Sequence, residues 1–256
     1  MTFSEKVKLW FSKVFGTTPP VEEPGHPPVE NPATGYKMPS MSDFGKKQKW
    51  IPWAERNPEG IQTPTRGTFA RGYPEGVIIH FTDGWSTPPR QSAINTLRGG
   101  VSDGYTYLVM DRNGVIYQGF PLDKWGYHSG TKHNQTCIGI EHCNMGQVKK
   151  IADNKWGSKE QPGMKEYWTD ADVRKVSEKD NMHAGTYLKF TQAQEKSLVE
   201  LILWLAVNSG LGISFIDNVL GHDEVAPDRR DDPGGALSMS TPEFRSFLKS
   251  LYRQIV

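Results

Sequence analysis

The sequence predicts an α/β fold in which helices flank a central mixed β-sheet, preceded by an N-terminal helix and a linker extension. Three observations support this prediction. Apolar runs of strand length occupy residues 77–82 and 137–142. Asn113 and Gly114, a turn-forming pair, separate two further strand-like segments. Apolar residues recur at helical spacing after residue 191, which indicates helices that cover the sheet.

The first segment, residues 1–16, is predicted to form an amphipathic helix. Val7, Trp10, Phe11 and Val14 recur at helical spacing, with lysines nearby. Charges interrupt the apolar residues, so the segment is not a conventional signal peptide. Three interpretations stay open: a helix at a membrane interface, a helix that packs on a partner or on the main domain, and a weakly ordered tail.

The second segment, residues 17–70, is predicted to be a Pro/Gly-rich linker that continues into a surface-wrapping stretch. Residues 17–40 are dominated by Pro, Gly, Glu and Thr, which is typical of a semi-extended linker. The rest of the segment stays polar but contains Trp50 and Trp53, which indicates contact with the surface of the following domain.

The third segment, residues 71–256, is predicted to be the main domain. Thr191, with Gln194 three positions later, has the pattern of a capping box and predicts a helix that ends at Gly210. Thr241 before a proline predicts a last helix that runs to about Tyr252. The remaining elements are expected to be strands at 77–82, 106–110, 115–118 and 137–142 and a short helix at 91–97.

Residues 145–187 interrupt this pattern. They are polar, rich in Lys and Asp, and poorly periodic. We expect an insertion or a long loop here, which could hold a short helix.

Composition excludes several classes of protein. The 256 residues carry 30 basic and 29 acidic side chains, so the net charge of +1 gives no electrostatic case for nucleic acid as a partner. No run of 18 apolar residues exists that could span a membrane. Cys137 and Cys143, if both lie on one strand, are roughly 20 Å apart and cannot form a disulfide. We expect both thiols to be reduced.

A candidate metal site lies near the C-terminus. His222 and Asp232 are separated by a Pro- and Gly-containing turn that can bring an imidazole and a carboxylate to one point. His80, at the end of an apolar run, could supply a third ligand, although one histidine on an apolar strand is more often a core residue. Asp231, the preceding residue, is an alternative to Asp232 as the carboxylate ligand. Two histidines, a carboxylate and an open fourth position are typical of a hydrolytic zinc site, here with one ion.

Six motifs in order resemble those of the zinc-dependent N-acetylmuramoyl-L-alanine amidases of the amidase-2 type, a family that includes the peptidoglycan recognition proteins. The resemblance covers roughly residues 70–255, and the segment 145–187 is longer than the family leads us to expect. The motifs are His80 at a strand end, Gly104-Tyr105-Thr106-Tyr107, the hairpin Asp111-Arg112-Asn113-Gly114, Trp125-Gly126-Tyr127-His128, Asn134-Gln135-Thr136-Cys137-Ile138-Gly139-Ile140-Glu141 and Gly221-His222-Asp223-Glu224-Val225-Ala226-Pro227.

The resemblance implies a role for each site residue. The zinc ligands would be His80, His222 and Asp232, and residues 71–256 would be a zinc amidase domain of this fold. Glu141 would be the general base that takes a proton from water and then delivers it to the leaving amine; the alternative is a salt-bridged buried carboxylate. Arg230 falls where many relatives have Lys, and would stabilise the oxyanion unless it is only a surface charge.

Five further residues have candidate roles, the first three of them implied by the same resemblance. Tyr105 would hold the water or the oxyanion, and the alternative is an ordinary strand aromatic residue. His128 and Trp125 would contact substrate in the groove, and the alternative for His128 is a plain loop histidine. Asp223 and Glu224 could orient an imidazole, or form a solvated acidic turn.

The implied function is hydrolysis of the amide bond between N-acetylmuramic acid and L-alanine of the peptidoglycan stem peptide. The expected setting is a phage or prophage endolysin that is made in the cytoplasm and acts on the cell wall in the periplasm. Two alternatives are a cytoplasmic amidase that recycles anhydro-muropeptides and a peptidoglycan-binding protein without catalysis. We expect a monomer, with peripheral membrane contact through residues 1–16.

Overall fold

The computed structural model describes residues 41–159, 163 and 165–254. The predicted helix over residues 1–16 and the predicted linker over 17–40 lie outside the described residues. None of the described helices is long and apolar enough to cross a membrane.

The centre of the fold is a mixed six-stranded sheet. Its strands, in spatial order, are β1 (Glu55–Arg56), β5 (Ile116–Gln118), β4 (Tyr107–Met110), β7 (Cys137–His142), β3 (Gly76–Phe81) and β13 (Val219–Gly221). The pairs β4–β7, β7–β3 and β3–β13 are parallel, whereas β4 and β5 are antiparallel. This confirms the predicted fold class. The other strands are β2 (Gly67–Thr68), β6 (Lys124–Trp125), β8 (Val148–Ala152), β9 (Lys155–Ser158), β10 (Tyr167–Trp168), β11 (Val173–Val176) and β12 (Gly185–Leu188).

Helices cover both faces of this sheet. The longest, α2, packs with the last helix on one face, against Ile79 of β3 and Ile140 of β7. On the opposite face, α1 packs against Tyr107 and Val109 of β4. The helices are α1 (Pro89–Asp103), α2 (Gln192–Ser209), α3 (Ile213–Asp217), α4 (His222–Val225) and α5 (Thr241–Tyr252).

The two central strands, β3 and β7, are the ones that the apolar runs predict. Helices on both faces make an alternating pattern unnecessary, so such strands are continuously apolar. In β3, Val77, Ile78 and Ile79 are fully buried. A polar side chain that interrupts either run, such as His80 or Glu141, therefore has to find a partner or serve a purpose.

Helix α2 begins and ends where the sequence predicts. The Thr191 side chain accepts a hydrogen bond from the Gln194 amide at 3.0 Å, and the Gln194 side chain accepts one from the Thr191 amide at 3.0 Å. Gly210 ends the helix with φ 76°. By contrast, α1 is longer than the predicted helix at 91–97, because it runs through two interior glycines. Gly100 is required there, since a Cβ atom would lie 2.8 Å from the Tyr107 hydroxyl.

Residues 145–187 contain strands β8–β12 and no helix among those described, which corrects the expectation of a loop that could hold a short helix. The strands form a three-stranded and a two-stranded antiparallel sheet around a small core. They are short, and their outward positions carry lysines, so no alternation is visible in the sequence. The core residues are Met145, Val148, Trp168 and Leu188.

The stretch before residue 71 takes part in the folded domain. Strand β1 pairs with β5 and forms one edge of the central sheet. The ring of Trp53 packs edge-on against Trp204 of α2, with centroids 5.5 Å apart. The proposed domain boundaries at residues 16 and 70 stay predictions.

Candidate metal centre

The site is built where three adjacent parallel strands bring their side chains to one face of the sheet. His80 of β3 is in register with Glu141 of β7, so both side chains lie on the same face. On the other side of β3, strand β13 ends at Gly221, and His222 is the first residue of α4. Asp232 lies in the turn that follows. This is also the face on which α1 packs.

His80, His222 and Asp232 converge on one point. The Nδ1 atom of His80 lies 2.9 Å from Nδ1 of His222 and 2.9 Å from Oδ2 of Asp232. The third side of the triangle, from His222 Nδ1 to Asp232 Oδ2, is 3.2 Å. All three residues are buried. Among the described residues, they form the one group of His, Cys, Asp and Glu side chains whose atoms are close enough to share a metal ion.

The turn between His222 and Asp232 is held by residues that touch neither imidazole. The Asp223 amide donates to the Asp232 carbonyl at 2.7 Å. The Glu224 carboxylate accepts from the Gly221 amide at 2.9 Å and from Arg245 at 2.7 and 3.0 Å. Asp223 and Glu224 therefore fix the backbone that carries the site, and they do not orient an imidazole as the sequence allowed.

The donor set fits a metal ion. His222 Nε2 lies 3.0 Å from the Ser129 carbonyl, which can only accept, so a neutral His222 carries its proton on Nε2 and points a lone pair from Nδ1. Asp232 Oδ2 presents another lone pair to the same point. Lone pairs this close repel one another unless a cation lies between them. Tetrahedral zinc ligands lie roughly 3.3 Å apart, close to the observed spacing.

Glu141 is a half-buried residue whose carboxylate has an unused, inaccessible oxygen. Its Oε2 atom is inaccessible to water and has no hydrogen-bond partner among the described residues. Burial raises the pKa of Glu141 well above its usual value, the negative charge of Asp232 adds to this, and Arg230 opposes it. Among residues 41–159, 163 and 165–254, no Lys or Arg forms a salt bridge with Glu141, so the alternative of a salt-bridged carboxylate is not observed there. A carboxyl group in this state can take up and release a proton.

The two arginines beside Asp232 take different positions. Arg230 is exposed, and its charge acts on both Glu141 and His80. Arg229 instead donates to the Ser129 carbonyl, the same atom that lies against His222. Sequence reasoning missed Arg229 and Ser129, because an exposed arginine and a backbone carbonyl leave no recognisable pattern.

Tyr105 is not brought to the cluster by any contact among the described residues. Its side chain is 45% exposed and makes no hydrogen bond there, and its strand-like bridge is to Tyr127. Tyr107 is the tyrosine near Glu141: burial and then the Glu141 charge raise its pKa. Trp125 packs edge-on against Tyr127, with centroids 6.2 Å apart. The roles proposed for Tyr105 and Trp125 stay predictions.

His128 packs against the metal cluster, and its assignment as a substrate contact stays a prediction. It is only 8% exposed and lies behind His80, with ring centroids 5.5 Å apart. Its Nδ1 lies 3.2 Å from His80 Nε2, and its Nε2 lies 3.0 Å from the Cys137 carbonyl. Both ring nitrogens are therefore engaged within the protein. Burial, and next the proximity of His80, lower the pKa of His128 well below its usual value, which favours the neutral ring.

Comparisons with known proteins agree on one family. The sequence profile of the N-acetylmuramoyl-L-alanine amidases matches residues 70–235. The 1,6-anhydro-N-acetylmuramyl-L-alanine amidase AmpD of Salmonella typhimurium (strain SL1344) is 27% identical over 142 residues, which are 56% of this chain and 56% of that protein. The chain thus spans just over half the length of this curated relative.

Two solved structures are similar at lower identity. The crystal structure of a selenomethionine derivative of AmpD is 17% identical, with a TM-score of 0.45, and the match covers 83% of this chain and 98% of that one. The endolysin N-acetylmuramoyl-L-alanine amidase LysCS from Clostridium intestinale URNW is 16% identical, with a TM-score of 0.43, and the match covers 78% and 97% of the two chains.

Proposed function

Since this chain belongs to the N-acetylmuramoyl-L-alanine amidase family, we propose that it hydrolyses the amide bond between N-acetylmuramic acid and L-alanine of the peptidoglycan stem peptide. One observation supports this most: the cluster of His80, His222 and Asp232 lies on the same face as Glu141, whose carboxylate has a buried, unused oxygen. A protein that binds peptidoglycan without cleaving it would need neither the metal cluster nor the free carboxylate oxygen of Glu141.

The metal that suits this donor set is one zinc ion, held by His80, His222 and Asp232. When bound, zinc would supply a Lewis acid that polarises the scissile carbonyl and acidifies water. His222 and Asp232 are pre-positioned for this role, because the backbone that carries them is tied together by the hydrogen bond from the Asp223 amide to the Asp232 carbonyl.

Glu141 moves the proton in this proposal. Its carboxylate accepts a proton from the attacking water and delivers it to the nitrogen of the leaving L-alanine, so one group serves as base and then as acid. Burial raises the pKa of Glu141 in the metal-free protein, and a bound zinc ion would counteract this by favouring the ionised form that accepts the proton. Arg230 supplies positive charge toward the oxygen on which negative charge develops.

Two substrates are compatible with this chemistry. We favour intact cell-wall peptidoglycan and the role of a phage or prophage endolysin, because the sequence predicts an amphipathic helix over residues 1–16 and a linker after it, which an enzyme of small soluble substrates would not need. Residues 1–16 would then assist at the membrane surface during access to the wall. The second candidate is a soluble anhydro-muropeptide, since AmpD of Salmonella typhimurium, a relative, is named for that substrate.

The test of the reaction is an end-group assay on purified peptidoglycan. We expect new L-alanine amino termini in proportion to the loss of turbidity, both abolished by a chelator and restored by zinc. The Glu141→Gln variant serves as the catalytic control. New amino termini on another residue, or new reducing sugars in their place, would overturn the proposal. Binding to the peptidoglycan without any new end group would favour the non-catalytic alternative.

The same assay separates the two substrates. The rate on intact sacculi is compared with the rate on soluble anhydro-muropeptides at equal concentration of scissile bonds. A higher rate on sacculi supports the endolysin proposal. Activity on the soluble fragments alone would indicate a recycling enzyme. The proposed cleavage of the amide bond would still stand.

A further inference from the structure

Two imidazoles of the cluster are held from behind by consecutive residues of one segment. Nε2 of His222 meets the carbonyl of Ser129 at 3.0 Å, and Nε2 of His80 meets Nδ1 of His128 at 3.2 Å. The Nε2 atom of His222 therefore faces a carbonyl oxygen, which can only accept a hydrogen bond. The Nε2 atom of His80 faces Nδ1 of His128, and a ring nitrogen can either accept or donate a hydrogen bond.

The contact at the other nitrogen of His128 decides whether its Nδ1 atom donates to His80 or accepts from it. Nε2 of His128 lies 3.0 Å from the carbonyl of Cys137 at the start of β7, and a carbonyl has no proton to give. A neutral His128 therefore carries its single proton on Nε2 and has a lone pair on Nδ1. The facing Nε2 of His80 has to donate, which leaves the lone pair of His80 on Nδ1, the atom that points into the cluster.

We propose that His128 is a positioning residue that selects the metal-binding tautomer of His80 by accepting a hydrogen bond from its Nε2–H. The inference rests on the part of the proposed function that makes His80, His222 and Asp232 metal ligands, and does not depend on the substrate. In the other tautomer, His80 would place a proton on Nδ1, between itself and the other two ligand atoms, where the cation has to lie.

Further contacts hold His128 in this position. The Asn134 side chain accepts from the amides of His128 and Ser129 at 3.0 and 2.9 Å, which fixes the segment that serves both ligands. Strand β7 provides the space for the ring with Gly139, where a Cβ atom would lie 2.7 Å from Cγ of His128. One short segment, anchored by one asparagine, therefore sets the proton positions of both histidine ligands.

A matched pair of variants tests the acceptor itself. Asn and Leu have nearly the same shape, and Asn can place its Oδ1 atom where Nδ1 of His128 accepts from His80, whereas Leu cannot. We expect His128→Leu to weaken zinc binding at least about 10-fold, and His128→Asn to stay within about threefold of wild type, measured by competition with a chromophoric chelator. Equal affinities for the two variants would overturn the proposal. Circular dichroism checks that both fold.

A second measurement needs no variant. Nitrogen-15 chemical shifts in the metal-free protein report which nitrogen of His80 carries the proton, so this readout depends on neither metal loading nor activity. We expect the proton on Nε2 of His80 in the wild type. A proton on Nδ1 of His80 would overturn the inference even if the Leu variant failed to fold. If the tautomer is as expected but the protein does not cleave peptidoglycan, only the proposed function fails.

Discussion

At the scale of single residues, the chemistry depends on atoms that the fold leaves without partners. The unused Oε2 of Glu141 and the converging atoms of His80, His222 and Asp232 are costly to bury in a protein that does nothing with them. The free-energy cost of burying these atoms is offset when a cation binds to the cluster, and the free oxygen of Glu141 has a use when it carries a proton. Variants at this scale should therefore separate metal binding from catalysis.

Glu141→Gln should lower the rate of peptidoglycan hydrolysis by roughly 100- to 10,000-fold, because the amide cannot accept a proton from water. The variant should bind zinc as the wild type does, since Glu141 is not one of the three clustered residues. End-group assays measure the first effect, and metal analysis of the dialysed protein measures the second. Activity near the wild-type level would remove Glu141 from the mechanism.

Arg230 should act through its charge. We expect Arg230→Gln to lower kcat about 10-fold or more, and Arg230→Lys to keep most of the activity, because either cation stabilises developing negative charge. The matched control is Arg253→Gln, because Arg253 is exposed at the end of the last helix and its replacement should leave kcat unchanged. Similar losses in the Gln and Lys variants of Arg230 would show that shape matters there, and that charge does not.

At the scale of elements, helix α2 carries a buried acid beside the segment that follows Asp232. Oε1 of Glu195 accepts from the Ser238 amide at 2.8 Å. Burial raises the pKa of Glu195 from 4.5 to about 7, although Ser238 and Arg174 oppose this. The folded protein therefore keeps a proton that the unfolded chain releases, and stability falls as pH rises from about 4.5 through 7.

Glu195→Gln should reduce this fall in stability. The amide keeps the acceptor for Ser238 and cannot ionise, so the free energy of unfolding should lose roughly 2–3 kcal/mol less between pH 5 and pH 8 than in the wild type. Urea denaturation at the two pH values measures the difference, with Glu178→Gln as an exposed control. An unchanged pH dependence in Glu195→Gln would show that Glu195 has an ordinary pKa in the folded protein.

Strand β11 of the 145–187 region braces the same segment. Arg174 donates to the carbonyls of Gly235 at 3.1 Å and Leu237 at 2.5 Å, just after Asp232. Arg174→Met should leave these carbonyls without partners and lower the free energy of unfolding by about 1–3 kcal/mol. Lys175→Met, at an exposed position on the same strand, is the control. Equal stability of the two variants would mean that water replaces the Arg174 hydrogen bonds.

The elements that the sequence predicts well are those whose signal is local. The capping box at Thr191 and the apolar run of β3 each reflect an interaction within a few residues. Strands β8–β12 were missed because two- to five-residue strands with outward lysines have no period to detect. The contacts of His128 could not be predicted for a different reason: its neighbours, His80 and the Cys137 carbonyl, are contacts across the fold that no local pattern encodes.

At the scale of the whole molecule, the parallel sheet creates the site. His80 and Asp232 are 152 positions apart, and they meet because β13, β3 and β7 are neighbours in the sheet. Parallel neighbours need long crossover connections, so their side chains come from distant parts of the chain. The motifs indicated which residues converge, whereas the proton positions and the support behind each ligand follow only from the three-dimensional structure.

The most direct test of this account is anomalous diffraction from crystals of the zinc-loaded protein, recorded on both sides of the zinc absorption edge. We expect one peak for each chain, about 2.0–2.2 Å from Nδ1 of His80, Nδ1 of His222 and Oδ2 of Asp232. A peak bound by other residues, or no peak in crystals grown with excess zinc, would contradict the claim that these three side chains form a metal centre.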